Sequence, residues 1–468
     1  MASSNKLLII GASDAGVSAA IRAREIREDL EIVLISSDAH PHFSVCGLPF
    51  YLSGLVPDWR QLAHHTVKEL TDRNILVKTN CRAQHIDPRR HIVTLACVET
   101  DSREEQIGYD RLIFATGAVP RRPFAQGTWS ERVRPLHTRE DALAVQQQLQ
   151  TVRSAAIIGG GFIGMEMAEA FRQRGIAVTI FQRSGHVLSD FDAELSKEVE
   201  NICARQQIAV QTLSAVDGVK EFSSQVRLYE KQREIWQGDL VLVAAGVQPQ
   251  TALAADAGIQ TDSRGAIVVD RYMQTNQADI WAAGDCTSTW HRLREEFVYL
   301  PLGTTAHKQG QVAGENAAGG SAAFAGSMGT QVLKFFDYAV ARTGLTGQEA
   351  GPLARTVLWE GWDRNAYYPQ AQPLRILLTG HASTGRILGA QMIGNISTSA
   401  AQRIDLIANA LFYHATIPDI LQWDLSYSPP FSSPWDPLQQ AAQHWMRRAA
   451  SVKAETPHVR IRKISDLR

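Results

Sequence analysis

Two stretches of the chain carry the same order of apolar and polar positions. Leu7–Gly16 (LLIIGASDAG) and Ala156–Gly164 (AIIGGGFIG) each run from a short apolar segment into a glycine turn and then into small residues at helical spacing. Each is followed by a second segment rich in β-branched residues, Glu31–Ser36 (EIVLIS) and Ala177–Gln182 (AVTIFQ). Unbroken apolar runs of this length predict strands buried on both faces, so the pattern predicts a strand–helix–strand unit occurring twice. That alternation implies parallel sheets and a doubly wound α/β architecture. Tyr109–Pro120 (YDRLIFATGAVP) and Asp239–Pro249 (DLVLVAAGVQP) add a strand leading into a glycine turn after each unit. From about Leu333 the character changes to strands such as Leu374–Leu378 and Gly389–Ile393, then a helix across Gln402–His414. A third, α+β domain is expected there.

Length and composition agree with this division. The 468 residues correspond to about three domains of ~150 residues, and 44% apolar with 20% charged residues is ample for large cores. A net charge of −1 supplies no global field to hold nucleic acid or an anionic membrane. Met1 to Ile21 is interrupted by Asp14 and two glycines, so it reads as neither a secretory leader nor a span. The five cysteines, Cys46, Cys81, Cys97, Cys203 and Cys286, are scattered and odd in number, with no CxxC pair. They predict no disulfide framework and no metal site, and they fit a reducing cytoplasm. From Ala441 onward seven Lys/Arg face two acidic residues, which predicts a solvated basic tail.

The glycine spacing carries the first chemistry. A dinucleotide pyrophosphate needs amide donors at a helix N-terminus and a turn in which no Cβ blocks its approach. Gly159, Gly161 and Gly164 give the full GxGxxG between strand and helix. The first turn keeps Gly11 and Gly16 but has Ser13 in the middle position. An acidic residue ending the second strand of such a unit accepts from a ribose 2′-OH, whereas a neutral residue beside an arginine suits a 2′-phosphate. The second unit ends in Gln182 and Arg183, so NADPH is favoured over NADH. In the first unit Ser36 takes the usual acidic position and Asp38 lies two residues on.

The ordered motifs GASDAG, FSVCGLPFYLSG (Phe43–Gly54), ATGAVP (Ala115–Pro120), GGGFIGMEMAE (Gly159–Glu169) and AAGD (Ala282–Asp285) continue through PLGTTAHKQGQVAGEN (Pro301–Asn316), KFFDYAVARTGL (Lys334–Leu345) and YSPPFSSPWDP (Tyr427–Pro437). Over about residues 6–440 the chain thereby resembles the FAD-dependent pyridine nucleotide-disulfide oxidoreductases. Within them it is similar to the single-cysteine branch of coenzyme A disulfide reductases, persulfide or polysulfide reductases and NAD(P)H oxidases. The resemblance implies two Rossmann-like dinucleotide-binding domains plus a C-terminal α+β dimerisation domain. An FAD domain over 1–120 and 251–325 would be interrupted by an NAD(P) domain over 121–250. Residues 326–440 would form a homodimer and complete the partner's active site, with 441–468 as the basic tail. It also implies FAD contacts from Gly11, Ser13, Asp14, Ala15, Gly16, Ser36 or Asp38, Thr116, Gly117, Gly284, Asp285, Pro301, Leu302 and Thr304. Contacts to the nicotinamide dinucleotide would come from Gly159, Gly161, Phe162, Ile163, Gly164, Glu166, Gln182, Arg183 and Gly246.

Cys46 stands in Cys46-Gly47-Leu48-Pro49, with Pro49 suited to the first turn of a helix. A thiol at a helix N-terminus is expected to have a lowered pKa and to react as thiolate. The resemblance places it against the flavin. Tyr51 stands five residues on, where a related branch carries a second cysteine, so the electron pair must rest on Cys46 as a mixed disulfide, persulfide or sulfenic acid. The implied reaction is NADPH-dependent reduction of a small disulfide, persulfide or polysulfide, with hydride passing to FAD and electrons to Cys46. Tyr367 or Tyr368 and Tyr427 match tyrosines that serve the partner's site in similar enzymes, or else they pack the dimer interface. Phe43, Arg22 and Arg73 match a coenzyme A site, and His42 is a candidate partner for the Cys46 thiolate. The competing reading is an NAD(P)H oxidase or peroxidase, whose similar members carry a histidine where Asp14 stands. A third is a protein that binds both cofactors for regulation or electron delivery.

Overall fold

The computed structural model describes residues 5–98, 104–124 and 129–455. The chain divides into two compact units, the first comprising residues 1–189 and 196–327 and the second 190–195 and 328–468.

The first unit is organised by two parallel five-stranded sheets. One has the spatial order Ile280–Ala282, Arg111–Phe114, Lys6–Ile10, Glu31–Ile35, Ile75–Lys78. The other runs Ile208–Gln211, Ala177–Phe181, Ser154–Ile158, Leu240–Val243, Val133–Pro135. Every strand of the second sheet lies in sequence between Arg111–Phe114 and Ile280–Ala282, so one α/β domain is inserted into the other. Where the chain passes between them, Ala118–Pro120 and Val247–Pro249 pair as an antiparallel ribbon. In each sheet the first strand of the glycine unit has its successor on one side and a later strand on the other. That reversal opens a crevice at the strands' C-terminal ends. Leu7, Leu8 and Ile9 are wholly buried, as an apolar run covered on both faces must be.

The helix Asp14–Ile26 follows the first glycine turn, and Gly303–Ala317 packs against it. Their backbones touch: a Cβ on Gly310 would lie 2.2 Å from the Ala15 carbonyl oxygen, and one on Gly314 2.2 Å from that of Ala19.

Two cysteines depart from expectation. Cys81–Asp87 and Ile92–Cys97 form an antiparallel hairpin in which Cys81 faces Cys97, and the two are joined as a disulfide. The expectation of no disulfide, drawn from the scatter of the cysteines along the chain, is corrected at this pair. Sequence separation hid the pairing, because only the strand register brings them opposite each other.

The second unit is an antiparallel sheet of order Gln331–Phe335, Tyr338–Gly344, Ile387–Asn395, Pro373–His381, Ala354–Trp362, with the helix Ala400–Phe412 packed on it. The solvated tail expected from residue 441 starts instead inside the helix Pro437–Glu455. Leu438, Ala441, Ala442 and Trp445 are buried at i, i+3, i+4, i+7 spacing, and the Trp445 indole donates to the Arg355 carbonyl at 2.9 Å. The basic residues of that stretch masked its apolar stripe, and positions 456–468 lie outside the described residues. No described helix is long and apolar enough to cross a membrane.

The helix contact makes a prediction with an inverted sign. Gly→Ala inside a helix ordinarily stabilises by about 0.5–1 kcal/mol. At Gly314 the new methyl meets backbone rather than a side chain that can turn away, and overpacking of this kind costs about 1–3 kcal/mol. Gly314→Ala is therefore expected to lower the denaturation midpoint; a raised midpoint would refute the backbone-to-backbone approach.

Candidate active site

Gly11 and Gly159 open the two turns at φ +114° and +107°, in the left-handed half of backbone space. A Cβ there would lie 1.9 Å from the Ala115 oxygen or 2.3 Å from that of Ala244. The middle position is different, since nothing lies within 4 Å of where a Gly161 Cβ would stand. Ser13 takes that place in the first turn, exposed and capping the first helix without a side-chain bond to it. Both helices, Asp14–Ile26 and Phe162–Gln173, thus present N-terminal amides to an open cradle, the arrangement a pyrophosphate needs. Each cradle fits the pyrophosphate of a dinucleotide such as FAD or a nicotinamide dinucleotide.

The flanking residues divide into those that face outward and those that brace the loops. Ala15, Gly16 and Gly164 are buried in the turns, while Ile163 is exposed and Phe162 half-buried. Gln182 is buried and accepts from the Gly160 amide at 2.8 Å, while its own amide donates to Ser184, so it braces the second turn. Arg183 beside it is exposed. The Ser36 hydroxyl is likewise spent within its own loop, donating to the Asp38 carbonyl at 2.8 Å, and Asp38 faces Arg139 at 3.4 Å. Thr116 donates to the Gln250 carbonyl at 2.6 Å and the Gln250 amide to the Gly117 carbonyl at 2.9 Å. Gly246 turns at φ +89° between Leu240–Val243 and Val247–Pro249. The Gly284 amide donates to Gln309 at 2.9 Å, which sets the turn carrying Asp285. Pro301 and Leu302 lead into the Gly303–Ala317 helix, with Thr304 exposed in its first turn.

Cys46 lies in a 3₁₀ turn, Val45–Gly47, and Pro49 opens the helix Leu48–Ser53 that follows. Cys46 is exposed, Cys203 and Cys286 are buried, and Cys81 and Cys97 are bonded together. Cys46 is thus the one accessible free thiol among the described residues. Its thiol lies above rather than below the ordinary cysteine value: although the residue has exposed surface, the protein packed around the sulfur disfavours the charged form, and Glu166, Asp14 and Asp285 add to this. A six-residue helix supplies too little opposing field. Burial and Glu169 lift Glu166 to about 7, and burial and Asp14 lift Asp285 to about 6.

The residues expected to touch coenzyme A differ in how free they are. Phe43 is buried, pairing through its backbone with Ala63 and lying 6.0 Å from the Trp59 ring. Arg22 is held by Glu315 at 2.7 Å and Glu25 at 3.0 Å, so its guanidinium is already engaged. Arg73 is exposed. His42 is 5% exposed, and its Nδ1 lies 2.8 Å from His65 Nδ1. Its Nε2 has no hydrogen-bond partner and faces Asp14 at 3.5 Å. Neither nitrogen is bonded to Cys46; the ring is directed to His65 and Asp14 instead. His65, His307 and Ser18 around it were missed, although Asp14 and Ser18 share one helix face at i, i+4.

In the second unit Asn365 Nδ2 donates to Tyr427 Oη at 3.1 Å and Tyr367 Oη at 3.3 Å. Both tyrosines are exposed, and Tyr368 is half-buried. The loops are tied where they meet: Arg364 donates to the Pro430 carbonyl at 2.6 Å and the Ser397 carbonyl at 2.9 Å. Arg403 pairs with Asp436 at 2.8 Å in a buried contact. Asn365 joins two motifs that lie far apart in sequence and was not singled out there.

The charge pattern around Cys46 is testable with the flavin-loaded enzyme. At pH 8 Glu166 is ionised, because its carboxyl titrates at about 7, and an adjacent negative charge disfavours a thiolate. Glu166→Gln is expected to lower the pKa of Cys46 and to speed its alkylation by iodoacetamide at that pH. An unchanged rate profile would mean that Glu166 does not act on the thiol.

Comparison with known proteins accords with this arrangement. Residues 330–437 match the dimerisation domain of the pyridine nucleotide-disulphide oxidoreductases. An NAD(P)H coenzyme A polysulfide/persulfide reductase from Pyrococcus horikoshii is 31% identical over 92% of this chain and 96% of its own. A coenzyme A disulfide reductase from Staphylococcus epidermidis is 27% identical over 92% and 98%. The solved structure of an NAD-dependent persulfide reductase from A. fulgidus superposes with a TM-score of 0.91 at 34% identity, covering 96% of this chain and 84% of that one. With residues 5–310 matching the family's main domain, two dinucleotide cradles and a single accessible thiol, the chain belongs to the pyridine nucleotide-disulphide oxidoreductases.

Proposed function

We propose that the protein uses NADPH to reduce a low-molecular-weight disulfide, persulfide or polysulfide at Cys46. The observation that carries this reading is Cys46 as the accessible free thiol, with Cys203 and Cys286 buried and Cys81 bonded to Cys97. The names of the Pyrococcus, Staphylococcus and A. fulgidus relatives bear on the same chemistry. We assign residues 1–120 and 251–325 to FAD, 121–250 to the nicotinamide dinucleotide and 326–440 to the homodimer interface.

Bound FAD supplies the electron pair that the nicotinamide delivers as hydride. Cys46 thiolate attacks one substrate sulfur, a new S–S bond forms, and the other sulfur leaves as a thiolate. Two electrons and a proton then release the second half as a thiol and restore the Cys46 thiolate. Tyr367 and Tyr427, contributed by the second copy of a homodimer, stand as donors to the leaving sulfur. Their exposure and their common partner Asn365 support that role. We place the reaction in the cytoplasm, where NADPH and small thiols are both supplied; the Cys81–Cys97 bond removes the cysteine count as a support for that location.

A steady-state panel of coenzyme A disulfide, coenzyme A persulfide, polysulfide and oxygen tests the substrate class. Turnover of a sulfur substrate by the wild type, and its loss in Cys46→Ser with the flavin retained, is the expected result. Equal turnover by the serine variant would sink the thiol mechanism, and rapid oxygen uptake with NADPH alone would make the enzyme an oxidase.

The coenzyme preference rests on Arg183, since Gln182 is committed to Gly160. A lost charge-assisted contact costs about 1.5–3 kcal/mol, which is roughly a 10- to 100-fold rise in the NADPH KM. Arg183→Ala is expected to show that rise with the NADH KM nearly unchanged; equal losses would refute the 2′-phosphate contact.

A further inference from the structure

Near Cys46 the chain assembles nitrogen and oxygen donors to which the proposed reduction assigns no step. Asp14 opens the first helix, and His307 lies one turn into the helix Gly303–Ala317 packed against it. His42 reaches the same point from the loop before Cys46, its amide donating to the Ala12 carbonyl at 2.6 Å. His42 Nε2 stands 3.5 Å from Asp14 Oδ1, His307 Nε2 stands 3.6 Å from the same oxygen, and the three donor atoms all lie within 4.8 Å of one another. An ion bound tetrahedrally at ~2.0–2.1 Å holds its donors ~3.3 Å apart, so two edges are close to the required length.

The second observation is His42 itself. Its side chain is 5% exposed, and its Nε2, pointing into this cluster, has only the long 3.5 Å contact to Asp14 Oδ1, too stretched for a well-formed hydrogen bond. A buried nitrogen so weakly satisfied is costly and calls for an explanation. Both imidazoles are also held from behind. His307 Nδ1 lies 2.8 Å from Ser18 Oγ and His42 Nδ1 lies 2.8 Å from His65 Nδ1. With an ion bound and the ring proton on each Nδ1, these bonds would turn both Nε2 atoms toward the ion, the second-shell pattern of histidine metal ligands.

We propose that Asp14, His42 and His307 bind a divalent first-row transition-metal ion beside Cys46, with a coordination position open to water or substrate. Two imidazoles and one carboxylate suit zinc or iron rather than calcium or magnesium. This departs from the metal-free expectation of the sequence and holds whichever sulfur compound the enzyme reduces.

The test uses the full-length, FAD-loaded protein and zinc ion. After equilibration and desalting, elemental analysis is expected to find about one zinc per chain, and calorimetric titration to give a single class of site. His307→Ala, a half-exposed position unlike His42, is expected to weaken binding by at least about tenfold, and Ser18→Ala by about tenfold through loss of ring orientation. Flavin content reports that these variants are folded. Cys46→Ser is expected to retain zinc, which separates this site from a thiol adduct and from failure of the reductase reading. No retained zinc, equal affinity in His307→Ala, binding by flavin-free protein only, or loss in Cys46→Ser with retention in His307→Ala would each overturn the proposal.

Discussion

The contact between the helices Asp14–Ile26 and Gly303–Ala317 is the constraint on which the rest of the site depends. With a side chain at Gly310 or Gly314, the Ala15 and Ala19 backbones would be pushed away. Without that approach Asp14 and Ser18 would not face Gly303 and His307. The two helices lie almost three hundred positions apart in sequence, on either side of the inserted domain. The insertion must therefore return the chain to where it departed, and the Ala118–Pro120 and Val247–Pro249 ribbon does so by pairing exit with entry. A domain is tolerated there because its two ends are already neighbours.

Electrostatics around Cys46 follow from the same packing. Helix-terminus effects are worth about 0.3–1 kcal/mol for an exposed group and decay within a turn. Cys46 sits in a 3₁₀ turn ahead of a helix of six residues, and against that weak field stand burial and three carboxylates. Burial and the carboxylates outweigh it, so the helix end alone does not make this thiol a ready thiolate. Asp14 behaves differently: burial works against its charge, yet His42, His307 and His64 outweigh it and hold its carboxyl below the ordinary range. One carboxylate in the group is thus kept ionised while Glu166 and Asp285 are driven towards neutrality.

Much of the fold was legible because it is written in local periodicity. Leu7–Ile10 and Ala156–Ile158 read as buried strands and are buried, and the glycines that follow them open the predicted turns. What escaped depended on register or on a pattern hidden by charge. Cys81 meets Cys97 only through the pairing of two strands, and the stripe Leu438, Ala441, Ala442, Trp445 is diluted by the basic residues on the other face of its helix. In the candidate site, residues belonging to a motif were found, whereas partners from other elements were not. His42 was noted for its nearness to Cys46 in sequence, but its contacts are with Asp14, reached across a loop, and with His65.

The tyrosine pair of the second unit shows why a costly interaction is kept. Burying Arg403 and Asp436 removes two charges from water, and such pairs are often no more stabilising than apolar residues of the same shape. Here the pair does more than close a gap. Asp436 also accepts from Ser432 at 2.9 Å, and Arg403 donates to the Asp363 carbonyl at 3.2 Å. One ion pair therefore fixes the end of the Tyr427–Pro437 segment against the residue that precedes Arg364 and Asn365. An apolar substitute would fill the volume but supply no directional contacts, and the separation between Tyr367 and Tyr427 would no longer be set. The buried charges are best understood as defining where two exposed hydroxyls stand.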